Sequence, residues 1–350
     1  MEEYLASNEE DDVNILYKIA ICHTYLGNLF KARKYYNQIL QNDSTHVQAL
    51  NKLGTIYVNE DNYKKAADCY EQLIVHDSTN SYYYKKLANI KYKQGILSQA
   101  VQLFDTALVY NPDDIESIIS LAEIYSELMD IDPSLKQHFN QSIKRGFELD
   151  SLNRKLLELS AENDFELKKY ISTIASIHLV LQYHQDTTGF HAHLLGMANK
   201  QLKKWEKAEQ WFHFLIEKEE DTELTHYYLA MVYDEQKKHD LAIKHFQMAI
   251  NKGISNNIHS YYISLGKLYE NNGKNGKAVN AYQKAYEHSQ INILLYKLAT
   301  NSEKYYKDKS IALRYYQRYL DNAKKDNEYT EYARYKITKI KEYLHAKNNL

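Results

Sequence analysis

The chain has 350 residues, more than one ordinary compact core accommodates, so two domains or a linear array of repeats is expected. Its 44 basic and 46 acidic side chains give a formal net charge of −2 without a basic stripe, which argues against a nucleic-acid partner. With only 2 Pro, 10 Gly and no stretch of about 18 consecutive apolar residues, the sequence favours long helices and predicts no membrane-spanning segment.

The N-terminal residues 1–12, MEEYLASNEEDD, are acidic and lack the apolar stretch of a signal peptide, so the compartment assigned by default is cytoplasmic. In register with the repeats described below, these residues correspond to the end of a preceding helix. We therefore expect the chain to begin inside a truncated repeat, with a longer native N-terminus. An export signal in such an upstream segment would make the compartment periplasmic instead.

A small residue and an aromatic residue recur together along the chain. Alanine recurs at intervals of 34 residues, with one interval of 36 and one long gap, and an aromatic residue follows each alanine four positions later. The pairs are Ala32–Tyr36, Ala66–Tyr70, Ala100–Phe104, Ala208–Phe212, Ala242–Phe246, Ala278–Tyr282 and Ala312–Tyr316. A large residue followed by a small one, such as Leu53-Gly54, precedes most of these alanines by 12 or 13 residues. The pattern predicts paired helices that approach closely at the small residues.

The pattern resembles the tetratricopeptide repeat, a helix–turn–helix unit, most clearly in LNKLGTIYVNEDNYKKAADCYEQLI and YYISLGKLYENNGKNGKAVNAYQKAY. The resemblance implies an all-α fold: a right-handed superhelical solenoid of antiparallel helix pairs, about nine in number, with a C-terminal capping helix. Tight turns within repeats are expected at Gly27, Asp61-Asn62, Gly95 and Gly273, where a positive φ is easily reached. The abundance of Lys, Asn, Tyr and Ile is similar to stand-alone members of the family from AT-rich, Bacteroidetes-like bacteria.

The repeats divide the chain into two predicted lobes. The N-terminal lobe, 1–128, contains the repeats 13–46, 47–80 and 81–114, followed by the start of a degenerate fourth repeat. The C-terminal lobe, 189–326, contains the repeats 189–222, 223–256, 259–292 and 293–326. Residues 129–188 form two degenerate helix pairs, interpreted either as a joint between the lobes or as a rigid irregularity. Residues 327–350 are predicted to form the amphipathic capping helix.

The degenerate region is expected to contain a helix opened by Pro133, a short helix near 152–162 and a longer one over about 164–185. The longer helix is predicted from apolar residues at helical spacing, among them Leu167 and Ile171. The proline that usually ends a repeat occurs only at Pro112, so the second helices of the other repeats are expected to run slightly longer.

The resemblance implies that the first helix of each repeat lines a concave groove. Candidate binding residues in the first half of the chain are Tyr17, Asn51, Tyr82, Lys85, Asn89 and Tyr92. Candidates in the second half are Phe190, His193, Met197, Tyr227, Met231 and Lys267. Asn amides are able to satisfy the backbone of an extended peptide and Tyr offers flat contact area, whereas Met adapts to varied partners. A single Asn or Tyr on a helix face is nevertheless most often just solvated.

No catalytic, cofactor or metal motif is found in the sequence. The cluster of His178, His184, His191 and His193 lacks the HExxH spacing, so a structural or exposed role is predicted. Cys22 and Cys69 lie 47 residues apart without CxxC spacing and are predicted to be buried small side chains rather than a disulfide or metal pair. Motifs of the GxGxxG, GxxxxGK[ST] and GxSxG types do not occur.

The sequence therefore predicts a non-catalytic, cofactor-free scaffold or adaptor that binds an extended peptide or a partner protein in the groove. Two alternatives remain open: a peptide-sensing regulatory receptor, and a periplasmic or envelope-assembly factor. Lys85 and Asn89 match the start of the carboxylate clamp of some family members. However, Ser120 stands where that clamp needs Asn, which argues against it.

Overall fold

The computed structural model describes residues 13–253 and 256–348. Over these ranges the chain forms 19 α-helices and one short 3-10 helix, and no strand. The chain divides into two compact units, Met1–Asn163 and Asp164–Leu350. The truncated repeat expected at residues 1–12 lies outside the described residues. None of the helices in the described ranges combines the length and the apolar character needed to cross a membrane.

The first unit contains eight complete helices and most of a ninth, whose last residues belong to the second unit. They are α1 (Val13–Tyr25), α2 (Leu29–Asn42), α3 (Val47–Asn59), α4 (Tyr63–His76), α5 (Ser81–Lys93), α6 (Leu97–Tyr110), α7 (Ile115–Leu128), α8 (Lys136–Leu149) and α9 (Arg154–Glu166). As expected, Pro133 opens a helical segment: it begins the 3-10 turn Pro133–Leu135, which leads directly into α8.

The second unit continues with ten helices to the end of the described chain. They are α10 (Tyr170–His184), α11 (Gly189–Gln201), α12 (Trp205–Glu217), α13 (Glu223–Glu235), α14 (His239–Lys252), α15 (Ile258–Asn271), α16 (Asn275–Ser289), α17 (Ile293–Tyr305), α18 (Ser310–Asp321) and α19 (Glu328–Asn348). The described helices thus follow the predicted order of nine pairs and a final helix, and the all-α repeat prediction is confirmed. The lobe boundaries drawn from the sequence stay a prediction.

The core of each unit lies between the two helices of a repeat and those of its neighbours. All seven alanines of the repeating pattern are fully buried, and each aromatic ring that follows is at most 2% exposed. A Cβ atom placed on Gly54 would lie 2.9 Å from the Tyr70 ring, and one on Gly196 would lie 2.8 Å from the Phe212 ring. These positions need a small residue because the ring of the second helix packs directly against the first helix.

The predicted turns are confirmed, with φ values of 72° at Gly27, 53° at Asp61, 74° at Gly95 and 68° at Gly273. Three lysines also take positive φ where the sequence gives no glycine: Lys168 at 60°, Lys203 at 57° and Lys237 at 63°. In each case the first helix ends with the same backbone hydrogen bonds, and these bonds require a left-handed residue whatever its side chain.

Three expectations need correction. The predicted helix over 164–185 is interrupted by a turn between α9 and α10, in which Lys168 has a φ of 60°; Leu167 lies in this turn and Ile171 is 72% exposed. Apolar spacing continues across the turn by chance, so it does not mark the break. The second helices that lack a following proline are not longer than the one that has it. Both α2 and α4 have 14 residues, the same length as α6, which precedes Pro112. Both cysteines are free, but Cys22 is exposed and only Cys69 is buried.

The turn at Lys237 offers a test of the cost of positive φ. Lys237→Gly should raise the free energy of unfolding by about 0.5–1 kcal/mol, because glycine removes the left-handed strain of a residue with a Cβ while losing some entropy. The matched change Gly273→Lys, in the equivalent turn of the next repeat, should lower it by a similar amount. Urea denaturation followed by circular dichroism measures both, and equal effects of the same sign would contradict this account.

Candidate functional site

In the first unit, the first helices of successive repeats are joined by polar side chains. The Lys85 Nζ atom on α5 donates to Asp114 Oδ1 at 2.9 Å and to Glu116 Oε2 at 2.8 Å, both at the start of α7. Further along α5, the Tyr92 hydroxyl donates to the Glu127 carboxylate at the end of α7. Two of the predicted binding residues, Lys85 and Tyr92, therefore belong to a polar row that connects α5 with α7.

The same row continues from α7 to α9. Lys155 Nζ on α9 lies 2.9 Å from Glu123 Oε1 on α7. The hydrogen bond that Lys155 donates to Glu123 raises the pKa of Lys155 against the effect of burial, and the nearby carboxylates of Glu158 and Glu162 raise it further. We call this set of side chains from α5, α7 and α9 the acidic row; its charged members are Lys85, Asp114, Glu116, Glu123, Glu127, Lys155, Glu158 and Glu162.

Two side chains that hold the α7 carboxylates, Lys85 and Tyr92, keep one protonation state at neutral pH. Burial lowers the pKa of Lys85, but the hydrogen bonds to Glu116 and Asp114 outweigh burial, so its pKa is raised overall. Burial and the Glu127 hydrogen bond both raise the pKa of Tyr92 well above its usual value. Lys85 therefore stays charged and Tyr92 stays a hydrogen-bond donor. Arg154 Nε on α9 also lies 2.8 Å from Glu158 Oε1. The six carboxylates of the acidic row therefore face three cations, Lys85, Lys155 and Arg154, and the row carries net negative charge.

The remaining candidates of the first unit differ in how far they are engaged. Tyr17 packs its ring 5.9 Å from that of Tyr36, and Asn51 accepts a hydrogen bond from the Tyr70 hydroxyl at 3.3 Å. The Asn89 amide donates to the Lys85 carbonyl at 3.0 Å. Tyr82 is 38% exposed, and the Lys86 ammonium lies 5.2 Å from its ring centroid. The two asparagines already bond within the protein, so Tyr82 offers the freest contact surface of these four.

The acidic side chains of α7 are absent from the candidate binding residues chosen from the sequence, although the family resemblance places Glu116 and Glu123 on the groove side of the degenerate fourth repeat. Glu116, Glu123 and Glu127 recur at intervals of 7 and 4 residues, which places them along one side of a helix. That spacing was the available signal. It was outweighed because surface carboxylates are common on solvated faces, and only the contacts with α5 and α9 single these out.

The six candidates of the second unit lie on α11, α13 and α15. Tyr227 forms the centre of this group: its ring lies 5.4 Å from that of Tyr228, and its hydroxyl is 3.4 Å from Ser264 Oγ on α15. The His193 ring lies 6.2 Å from the same Tyr228, and burial lowers the pKa of His193. Met197 and Met231 are partly buried against the core. Phe190 and Lys267 are exposed.

The histidines that cluster in the sequence, at 178–193, are not the ones that pair in the structure. His191 faces Thr188, with His191 Nδ1 3.2 Å from Thr188 Oγ1 at the start of α11. Within 13–253 and 256–348, no group of three or more His, Cys, Asp or Glu side chains is arranged to hold a metal ion. A buried pair lies elsewhere: His226 on α13 and His245 on α14 are 5% and 7% exposed, and their Nδ1 atoms are 3.0 Å apart.

This buried histidine pair shares one proton between its facing nitrogens. His226 Nε2 lies 2.8 Å from Asp221 Oδ2 and donates to it, and Lys252 Nζ is also 2.8 Å from that oxygen. With His226 neutral, its Nδ1 accepts a hydrogen bond from the Nδ1–H group of His245. A second proton would place two N–H groups face to face. Burial lowers the pKa of both histidines, that of His245 to about 4, and the nearby charges of His213 and Lys244 act in the same direction on His245.

The histidine pair predicts an acid-labile second unit. Folded-state pKa values lie below the unfolded value of about 6.5, so the stability that the neutral pair provides is complete above that pH and is lost as pH falls toward about 4. The free energy of unfolding should drop by about 2 kcal/mol between pH 7.5 and 5, measured by urea denaturation.

His245→Asn keeps a donor at the Nδ1 position without titrating, so it should flatten this pH dependence. His76→Asn, at an exposed histidine of α4, is the matched control and should leave the pH dependence unchanged. Identical pH profiles for the parent and His245→Asn would contradict a role of the pair.

A family model described as tetratricopeptide repeat matches residues 47–74 and 259–289, and a second model with the same description matches 15–46 and 225–252. These segments lie in the repeats read from the sequence, and they confirm the resemblance. No curated protein matches the chain.

Several solved structures have similar helical arrays. PilF of Pseudomonas aeruginosa matches with a TM-score of 0.48 at 15% identity, covering 61% of this chain and 94% of its own. A tetratricopeptide repeat protein from Parabacteroides merdae matches with a TM-score of 0.34 at 14% identity, covering 83% and 98%. Yeast Tom70 matches with a TM-score of 0.41 at 13% identity, covering 95% and 96%. At these values the similarity carries no functional conclusion, and no bacterial origin follows from it.

Proposed function

We propose that this chain, which belongs to the tetratricopeptide-repeat family, is a non-catalytic scaffold that binds an extended segment of another protein along the first helices of its first unit. Stacked repeats of this kind present extended surfaces for protein partners. The observation that carries the proposal is the acidic row, a continuous set of side chains contributed by three successive first helices, α5, α7 and α9.

The chemistry of the acidic row favours a segment that carries Lys or Arg side chains. Glu116 keeps 75% of its side chain exposed even while it accepts from Lys85, and Glu127 is exposed as well. Each carboxylate has lone pairs beyond those used by its internal partner, so it is able to accept from an incoming cation. Tyr82, exposed at the start of α5, adds a flat apolar surface on the helix that carries Lys85 and Tyr92.

Contacts within the protein hold the carboxylates of the acidic row in fixed positions. Lys85, Tyr92 and Lys155 hold the α7 carboxylates in place by direct contacts, so few rotamers are lost when a partner binds. Preorganised carboxylates give specificity and faster association more than raw affinity, because charge pairs at a wet surface contribute little individually. A scaffold that selects among partners is consistent with this balance.

Two other functions remain alternatives for the same surface. A peptide-sensing receptor would bind the segment in the same place and differ in transmitting a response. An envelope-assembly factor would differ in compartment rather than in the way it binds. Binding of the segment is common to all three, so binding is what the first experiment measures.

The test is crosslinking capture from an extract of the source cells, followed by synthesis of the captured segment as a labelled peptide. The captured segment should be net positive. The triple change Glu116→Gln, Glu123→Gln and Glu127→Gln should weaken its binding about tenfold, since each exposed charge pair contributes about 0.2–1 kcal/mol. Fluorescence anisotropy measures the affinity, and circular dichroism checks that the variant is folded.

The matched control is Glu148→Gln, which removes an exposed carboxylate from the second helix α8. It should leave the affinity unchanged. A captured segment that is acidic, or one that binds the triple variant as tightly as the parent, would refute the acidic row as the binding surface.

A further inference from the structure

A second candidate binding surface is formed in the second unit, mainly by the second helices of its repeats. The second helices α14 and α16 flank a cleft of about 290 Å³ above the first helix α15. Its floor is apolar: Leu265, Tyr269 and Ala281 are buried, and Ile250 and Tyr262 are partly buried. The size and apolar floor match the dimensions at which a cleft holds a large side chain of a ligand.

The rim of this cleft is polar and basic. It is formed by Gln247 and Asn251 of α14 and by Lys277, Asn280 and Lys284 of α16. No carboxylate lines the cleft among the described residues. The rim therefore combines two ammonium groups with three carboxamides, a set that suits an anionic group of a ligand.

The two lysines are held over aromatic rings rather than over carboxylates. Lys284 Nζ lies 5.6 Å from the Tyr262 ring centroid, and Lys277 Nζ lies 5.8 Å from that of Tyr269. Within the described chain, neither lysine has an acidic side chain within ion-pair distance. Cation–π contacts orient an ammonium group without pairing it with an anion, so both lysines present an ammonium group to a ligand at the edge of an apolar floor.

We propose that this cleft binds a segment of a partner protein in which a large apolar side chain stands next to Asp or Glu. The apolar side chain occupies the floor between α14 and α16, and the carboxylate pairs with Lys277 and Lys284 while the amides bond the segment's backbone. This surface is made by second helices of the other unit, and it is independent of the acidic row. The two surfaces select segments of opposite charge.

The probe is a labelled peptide in which Leu and Phe alternate with Glu, compared with one that has Lys at every Glu position and one that has Ala at every Leu and Phe position. The first peptide should bind, and each of the other two should bind at least about tenfold more weakly, since the cleft requires both a carboxylate and an apolar side chain. Fluorescence anisotropy at low and high salt measures the affinities. The Leu/Phe–Glu peptide should weaken at high salt.

The double change Lys277→Gln and Lys284→Gln should weaken binding of the Leu/Phe–Glu peptide about tenfold, because it removes both charges and leaves polar, uncharged side chains. The matched control, Lys64→Gln with Lys207→Gln, changes two exposed lysines of other second helices and should have no effect.

Two results would overturn the proposal. One is no preference for the Leu/Phe–Glu peptide over the Lys peptide. The other is binding that the Lys277→Gln and Lys284→Gln variant retains in full. A basic peptide bound to the acidic row should not compete with the Leu/Phe–Glu peptide, so failure at one surface is distinguishable from failure at the other.

Discussion

The contact between an aromatic ring on the second helix and a small residue on the first helix sets the geometry of every regular repeat. At Gly196 a Cβ atom would come within 2.8 Å of Phe212, and at Gly266 within 2.8 Å of Tyr282, so the two helices approach until the ring touches backbone. Close packing of this kind fixes the distance and rotation of the pair. The outward sides of both helices are then free of packing constraints, and they carry side chains whose chemistry differs from repeat to repeat.

Tyrosine links this packing to the surface. Where the ring is a tyrosine, its hydroxyl reaches a polar group of the first helix: Tyr282 donates to Glu270 at 2.7 Å, and Tyr316 donates to Glu303 at 3.2 Å. Burial and the bonded carboxylate raise the pKa of Tyr282, so the phenol remains a donor. Glu270 in turn pairs with Lys297 on the next first helix. The abundance of tyrosine, 34 residues, is thus consistent with a ring that fills the core and a hydroxyl that orients surface carboxylates.

The sequence predicted the structural features that recur in every repeat because the same packing contact recurs. It missed the features that depend on contacts between residues far apart in the sequence. Alanine and aromatic spacing identified the helix pairs because each repeat must satisfy the same contact. The turns at Gly27 and Gly273 were predictable because glycine favours positive φ, whereas Lys237 takes that conformation only because helix-end hydrogen bonds impose it.

For the candidate site, the sequence predicted a helix face, which stays a prediction, and it did not reveal the contacts of each side chain. Asn51 and Asn89 suit a peptide backbone by type, yet the structure bonds both within the protein. The pairing of His226 with His245 spans 19 residues and two helices, and no spacing rule relates them. Their burial and the contact with Asp221 become apparent only when α13 and α14 are packed together.

Net charge says little about what such a scaffold recognises. The formal charge of −2 averages an acidic row on α5, α7 and α9 with a basic cleft on α14 and α16. Screening at physiological salt confines the effect of an exposed charge to about 8–10 Å, so a bound segment responds to the side chains nearest to it. Because like charges disfavour contact, the two proposals together imply that a segment suited to one surface is disfavoured at the other. A near-neutral repeat protein can therefore discriminate between partners by local charge alone, while its packing stays the same in every repeat.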